Sequence, residues 1–136
     1  MSYKYVIDSY AWIEYFKGTE AGLKAKRYIE VELSATPTIV VAELCRKLLR
    51  EVNAGRETID GMNKMLKFVR SSTIIVDLNY DIALLAGEID VRRKRRVRGW
   101  GLADSIILAT ARICNAKVVT GDGHFSDLKD EVIMIK

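Results

Sequence analysis

Four carboxylates in this chain stand where chemistry explains an acid better than solubility does. Asp8 closes the apolar, β-prone segment Tyr5-Val6-Ile7. Glu43 is the one acid in Ile39-Val40-Val41-Ala42-Glu43-Leu44, and Asp104 is the one acid in Leu102-Ala103-Asp104-Ser105-Ile106-Ile107-Leu108-Ala109. Asp122 lies in the glycine-rich turn Thr120-Gly121-Asp122-Gly123. Each has a plain structural use on its own. Asp8 could cap a helix, Glu43 and Asp104 could be first-turn acids favoured by the helix macrodipole, and Asp122 could be a turn residue. Jointly, two acids at strand ends and two near helix starts are what a doubly wound α/β fold gathers at one edge of its sheet. Two carboxylates ~5 Å apart repel by about 3 kcal/mol at an effective dielectric of roughly 20, so three or four together call for a cation. Oxygen ligands with no histidine or cysteine expected beside them select Mg2+ or Mn2+. Zinc is disfavoured, because the single histidine is His124 and neither Cys45 nor Cys114 has ligand spacing.

Other chemistries are excluded by what is missing. One histidine cannot supply a metal-free ribonuclease that uses two. A Ser/His/Asp triad has no Gly-x-Ser-x-Gly elbow here. No Gly-x-x-x-x-Gly-Lys-[Ser/Thr] loop occurs, which removes P-loop NTPases. Gly99-Trp100-Gly101 has no strand before it to form a dinucleotide-binding turn.

The elements that must position these acids alternate along the chain. Strands are expected at residues 3–8, 33–36, 73–76, 117–120 and 132–135, from short apolar or β-branched runs. Helices are expected at 9–17 with Ser9 as cap, 19–31, 38–53, 58–69, 80–96 and 102–115. That order predicts a three-layer α/β/α sandwich around a mostly parallel sheet, built as a single domain over residues 1–136.

With 49% apolar residues the chain can bury a real core. It has no uninterrupted apolar run long enough for a membrane span, and its N-terminus does not read as a secretory leader. Both cysteines sit in apolar helical patterns and read as buried free thiols, which fits a cytoplasmic location. The net charge of +4 is local in origin. Arg92-Arg93-Lys94-Arg95-Arg96-Val97-Arg98 carries six cations and no acid, leaving 16 basic against 18 acidic side chains elsewhere. Six charges within two helical turns cannot share one face, so this segment should project or fray at its helix end. A basic rim just upstream of Asp104 suggests a polyanionic partner, gripped through Arg92, Arg93, Arg95, Arg96 and Arg98, with protein docking as a further use.

At this point the motifs resemble a known family. Val6-Ile7-Asp8-Ser9-Tyr10-Ala11-Trp12 is similar to the opening strand and helix of PIN domains, and Val41-Ala42-Glu43-Leu44 to their helical glutamate. Leu102-Ala103-Asp104-Ser105-Ile106-Ile107-Leu108-Ala109-Thr110-Ala111 resembles their best-marked helix, and Thr120-Gly121-Asp122-Gly123-His124-Phe125 their Thr-x-Asp-x-x-Phe turn. The likeness runs in order along the whole chain and is nearest to the VapC-like toxins of toxin–antitoxin pairs. It implies an endoribonuclease dependent on Mg2+ or Mn2+, usually homodimeric and held inactive by a small antitoxin. On the same basis Asp8, Glu43 and Asp104 would ligate the metal, and Asp122 would complete the site directly or through water. Ser9 and Thr120 would support the site by hydrogen bonding. One departure is Gly101, where the family often has proline before the Leu-Ala-Asp helix. Trp12, Tyr15 and Phe16 on the first helix are candidate docking surfaces, with core packing expected for at least one of them. Two rivals remain. One is an RNA-processing or catalytically silent RNA-binding PIN domain. The other is a receiver-like phosphoacceptor using Asp77, although Lys117 begins its strand where such a site needs a lysine at a strand end.

Overall fold

The computed structural model describes residues 2–136; Met1, the first residue of the segment read for a leader, lies outside them. Five strands, β1 (Tyr5–Ile7), β2 (Ser34–Pro37), β3 (Ile74–Val76), β4 (Lys117–Thr120) and β5 (Val132–Met134), form one sheet. All four pairings are parallel, in the order β3-β2-β1-β4-β5. Six helices alternate with them: α1 (Ser9–Lys17), α2 (Glu20–Glu30), α3 (Thr38–Asn53), α4 (Ile59–Ser72), α5 (Tyr80–Lys94) and α6 (Leu102–Ile113). A single 3-10 turn, Gly123–Phe125, follows β4.

Both faces of the sheet are covered. Neighbouring residues on a strand point to opposite faces, and Val6 with Ile7, Ala35 with Thr36, and Val118 with Val119 are all fully buried. The expected three-layer sandwich is therefore the one observed. No helix among the described residues is long and apolar enough to cross a membrane.

Strand order fixes where a ligand can sit. From the central β1 the chain steps outward to β2 and β3, then returns past β1 to lay down β4 and β5. Connections leaving β1 and β4 therefore diverge, and a crevice opens beyond the carboxyl ends of those two strands. Asp8 follows the last residue of β1, and Thr120 ends β4 two residues before Asp122. Asp77, by contrast, follows the edge strand β3, and Lys117 starts β4 at the opposite end of the sheet. That placement removes the receiver-like arrangement.

Local signals account for most element boundaries. Thr19, Thr58 and Asn79 each accept a backbone N–H from the third residue onward and cap α2, α4 and α5. Asp8, not Ser9, caps α1: its Oδ1 accepts the Ala11 N–H at 2.9 Å, and Ser9 is already helical. The helix expected to reach residue 115 stops at Ile113, where Asn115 takes a left-handed φ of 52°.

Of the three aromatics on α1, one goes wholly to the core, as expected for at least one of them. Trp12 is fully buried, and its indole N–H donates to Thr36 Oγ1 at 3.1 Å. Tyr15 and Phe16 are half-buried in a cluster with Trp12 and Phe68, the Tyr15 and Phe68 rings stacked 5.8 Å apart. A nine-residue amphipathic helix has too few turns to show from sequence which aromatic faces inward. The cysteines are free, as expected, but half-buried; the Cys114 thiol donates to the Tyr3 hydroxyl oxygen at 2.7 Å.

Candidate active site

The four acids reach the crevice from four different elements. Asp8 enters from the junction of β1 and α1, Glu43 from the second turn of α3, Asp104 from the first turn of α6, and Asp122 from the turn after β4. Their carboxylates feel one another. Asp8 is repelled by Asp122 and Glu43, and Glu43 by Asp104. Carboxylate oxygens of Asp104 and Asp122 and a ring nitrogen of His124 lie within 4.8 Å of one another.

Burial makes this repulsion expensive. Asp8 is only 4% exposed, and its carboxyl is pushed up to about 7. Loss of hydration is the main cause, with Asp122 and Glu43 adding to it; the Thr120 hydroxyl and the Ala11 N–H oppose it. Glu43 is likewise raised, chiefly by desolvation and then by Asp104, against the favourable Ser9 hydroxyl and the cations Lys47 and Arg46. One oxygen of Glu43, Oε1, is buried without any hydrogen-bond partner. An orphaned anionic oxygen in a crowd of acids is the strongest sign that the residues present fit a hard divalent cation.

Asp104 is tied on two sides. Its Oδ2 accepts the Gly101 N–H at 3.1 Å and lies 3.2 Å from His124 Nδ1. The first contact depends on the residue type: a proline at position 101 has no N–H to donate. Asp122 Oδ1 accepts the His124 backbone N–H at 2.9 Å, while the Asp122 N–H donates to Thr120 Oγ1 at 2.9 Å. Two glycines make these approaches possible. A Cβ on Gly121 would sit 2.2 Å from the Tyr10 ring. Gly99 has a φ of +84°, and a Cβ there would lie 3.0 Å from His124 Nε2.

His124 corrects the expectation that no histidine stands beside the acids. The signal was in the sequence, since it lies two residues after Asp122 in the same turn, but the 3-10 geometry was needed to bring its ring to Asp104. One imidazole among oxygen donors leaves a mixed set in which hard cations still predominate as candidates.

The basic run divides. α5 ends at Lys94, and Arg92, Lys94, Arg95, Arg96 and Arg98 are exposed. Arg93 is not: it is 5% exposed, and its guanidinium grips Asp127 through two bonds of 2.7 and 2.9 Å. It also donates to the His124 carbonyl at 2.9 Å and lies 4.3 Å from the centre of the Trp100 ring. Arg93 therefore leaves the set of side chains free to meet RNA, and the segment is pinned here instead of projecting. Helical phase could have found it, because Arg93 continues the buried stripe of Ile82, Ala86 and Ile89.

The family model of the PIN domain matches residues 5–131. The chain belongs to the PIN domain family. Similar solved structures include a toxin–antitoxin complex from Klebsiella pneumoniae, at TM-score 0.75 and 19% identity over 98% of each chain. VapBC2 from Rickettsia felis bound to a promoter DNA fragment matches at TM-score 0.72 and 18% identity, over 94% of this chain and 95% of that one. VapC20 from Mycobacterium tuberculosis, a sarcin–ricin loop cleaving toxin, matches at TM-score 0.69 and 17% identity, over 92% and 95%. No curated protein matches the chain in sequence.

Proposed function

We propose that this chain is a divalent-metal-dependent endoribonuclease, the toxin of a toxin–antitoxin pair acting in the cytoplasm as a single PIN unit. The observation that carries the reading is the buried carboxylate cluster, in which Glu43 Oε1 has no partner and Asp8 is pushed up to about 7. Asp8, Glu43 and Asp104 would hold Mg2+ or Mn2+, with Asp122 completing the site directly or through water. When bound, the cation neutralises charge building on the scissile phosphate and acidifies water beside it. Ser9 and Thr120 would support the Glu43 and Asp8 carboxylates, whose charged forms their hydroxyls favour. A carboxylate not taken up by the cation orients the attacking water and accepts its proton. Attack is in line: a new P–O bond forms as the bond to the leaving oxygen breaks, with no covalent enzyme intermediate.

RNA as the substrate class is supported by the family and by the VapC20 neighbour, described as cleaving the sarcin–ricin loop. Labelled structured RNA incubated with the chain should be cut in Mg2+ or Mn2+ and left intact in excess chelator. Cleavage that persists in chelator, or none in either metal, overturns the reading.

Neighbours that are toxin–antitoxin complexes support a small antitoxin as partner. A homodimer belongs to the same reading. Tyr80, Leu84 and Val91, 55–77% exposed at helical spacing on α5, form the apolar stripe that association would cover. A purely monomeric chain in light scattering at micromolar concentration counts against it.

The exposed cations Arg92, Arg95, Arg96 and Arg98 form the proposed RNA rim. If three of them meet phosphates of single-stranded RNA, log K falls against log salt with a slope of about −2 from these contacts. Replacing Arg95 and Arg98 with Ala should weaken binding across RNA sequences and flatten that slope by roughly one. An unchanged affinity and slope returns the cluster to a solvated helix end.

A further inference from the structure

We propose that Arg93 is a positioning residue for the acid cluster: its guanidinium locks the turn carrying Asp122 and His124 against the helix carrying Asp104, and so sets the affinity of the site for a divalent cation. The inference rests on the metal-nuclease reading. It concerns a side chain that touches none of the four acids.

The geometry connects both halves of the site through this one residue. On one side Arg93 donates to the His124 carbonyl and to both oxygens of Asp127, which anchors the backbone of the turn that begins at Asp122. On the other side it packs on the face of Trp100. The Trp100 indole N–H donates to Ser105 Oγ at 2.7 Å, and Ser105 is the residue after Asp104 on α6. Ser105 Oγ donates in turn to Asp90 Oδ1 at 3.2 Å, one turn before Arg93 on α5. The edge of Trp100 meets Phe125 at 5.0 Å between ring centres. Asp104 and Asp122 are joined along the chain only through the rest of α6 and the whole of β4. Their separation is held by this frame and by the His124 ring between them.

Residue type strengthens the point. Position 93 continues an apolar stripe, and a Leu or Met there would bury at lower desolvation cost than a guanidinium. Arginine adds direction: a rigid fork that makes three bonds to two residues of the turn while stacking on an indole. Lysine, a point charge on a flexible stem, cannot reproduce that fork. Groups that orient a ligand without touching the metal typically change metal affinity by about 10–100-fold when altered.

The test is Mn2+ titration by calorimetry of the wild-type chain, Arg93→Lys, Asp127→Asn and the control Arg112→Lys. Thermal unfolding of each in chelator runs alongside. Arg112 makes a comparable two-bond pair with Glu131 at 2.7 and 3.0 Å, away from the crevice. Arg93→Lys and Asp127→Asn should each weaken Mn2+ binding by about tenfold, with cleavage recovering at saturating Mn2+, and Arg112→Lys should leave Mn2+ affinity unchanged. A lower melting temperature with unchanged Mn2+ affinity overturns the inference. If Arg93→Lys does not fold, Asp127→Asn decides alone, since Asp127 lies at the surface. A wild-type chain that binds no Mn2+ overturns the metal reading and this inference with it. Mn2+ binding without RNA cleavage overturns the nuclease reading, and the positioning role is then judged on the affinities.

Discussion

Asp104→Asn is expected to lower the proposed RNA cleavage by at least about a hundredfold while the protein remains folded. The change is nearly isosteric. The substituted amide still offers one carbonyl oxygen to the Gly101 N–H, so the start of α6 keeps its anchor. What disappears is a full negative charge in a cluster where three acids remain, together with the anionic partner of His124. A cation held there loses one charged ligand, and the ring held by that carboxylate loses its reference point. Initial rates at saturating Mn2+, set beside far-UV circular dichroism, separate chemistry from folding. Wild-type rates in a folded Asp104→Asn protein would remove Asp104 from the site.

Asp8→Asn is expected to stabilise the metal-free protein, and to do so in a pH-dependent way. Asp8 ordinarily titrates near 3.8 and in the fold near 7, so the native state holds this proton more tightly than the unfolded chain. Stability from this group is fully present below the ordinary carboxylate range. It falls as pH rises through about 7, and above that the penalty of a buried anion is complete. A difference of about three pH units corresponds to at most roughly 4 kcal/mol. Asparagine removes the penalty and remains a good helix cap toward the Ala11 N–H. In excess chelator the melting temperature of Asp8→Asn should exceed wild type by on the order of 5–10 °C at about pH 8 and by little at about pH 4. Divalent metal should reverse the order by stabilising only the wild type. Equal melting curves at high pH without metal would show that Asp8 is not under the strain its burial implies.

Asp8, Asp104 and Asp122 were legible because each breaks its own local pattern: an acid ending an apolar strand, an acid inside an apolar helix, an acid in a glycine turn. The alternation of strands and helices gave the parallel sheet for the same reason, since periodicity is a local property. Arg93 was hidden by its neighbours. In a run of six cations nothing marks one as buried except helical phase, and phase is hard to follow where the helix ends. Which of Trp12, Tyr15 and Phe16 enters the core was not legible, because an aromatic beside a cluster of aromatics reads equally well as surface or core. His124 required the third dimension: its role follows from a turn that swings its ring back onto a residue 20 positions earlier.

The central strand of this sheet is the first of the five to be synthesised, and one of its two neighbours is the fourth. Tyr5 pairs with Lys117 across more than a hundred intervening residues, and Asp122 follows that partner strand. A growing chain therefore carries Asp8 from early on, yet it cannot bring the acids together until β4 has emerged and closed that long loop. On the nuclease reading proposed above, the site cannot act while the sheet is being made. On that reading the capacity to cut would appear only once the late strands have left the ribosome, and the proposed antitoxin would have that interval in which to meet the chain.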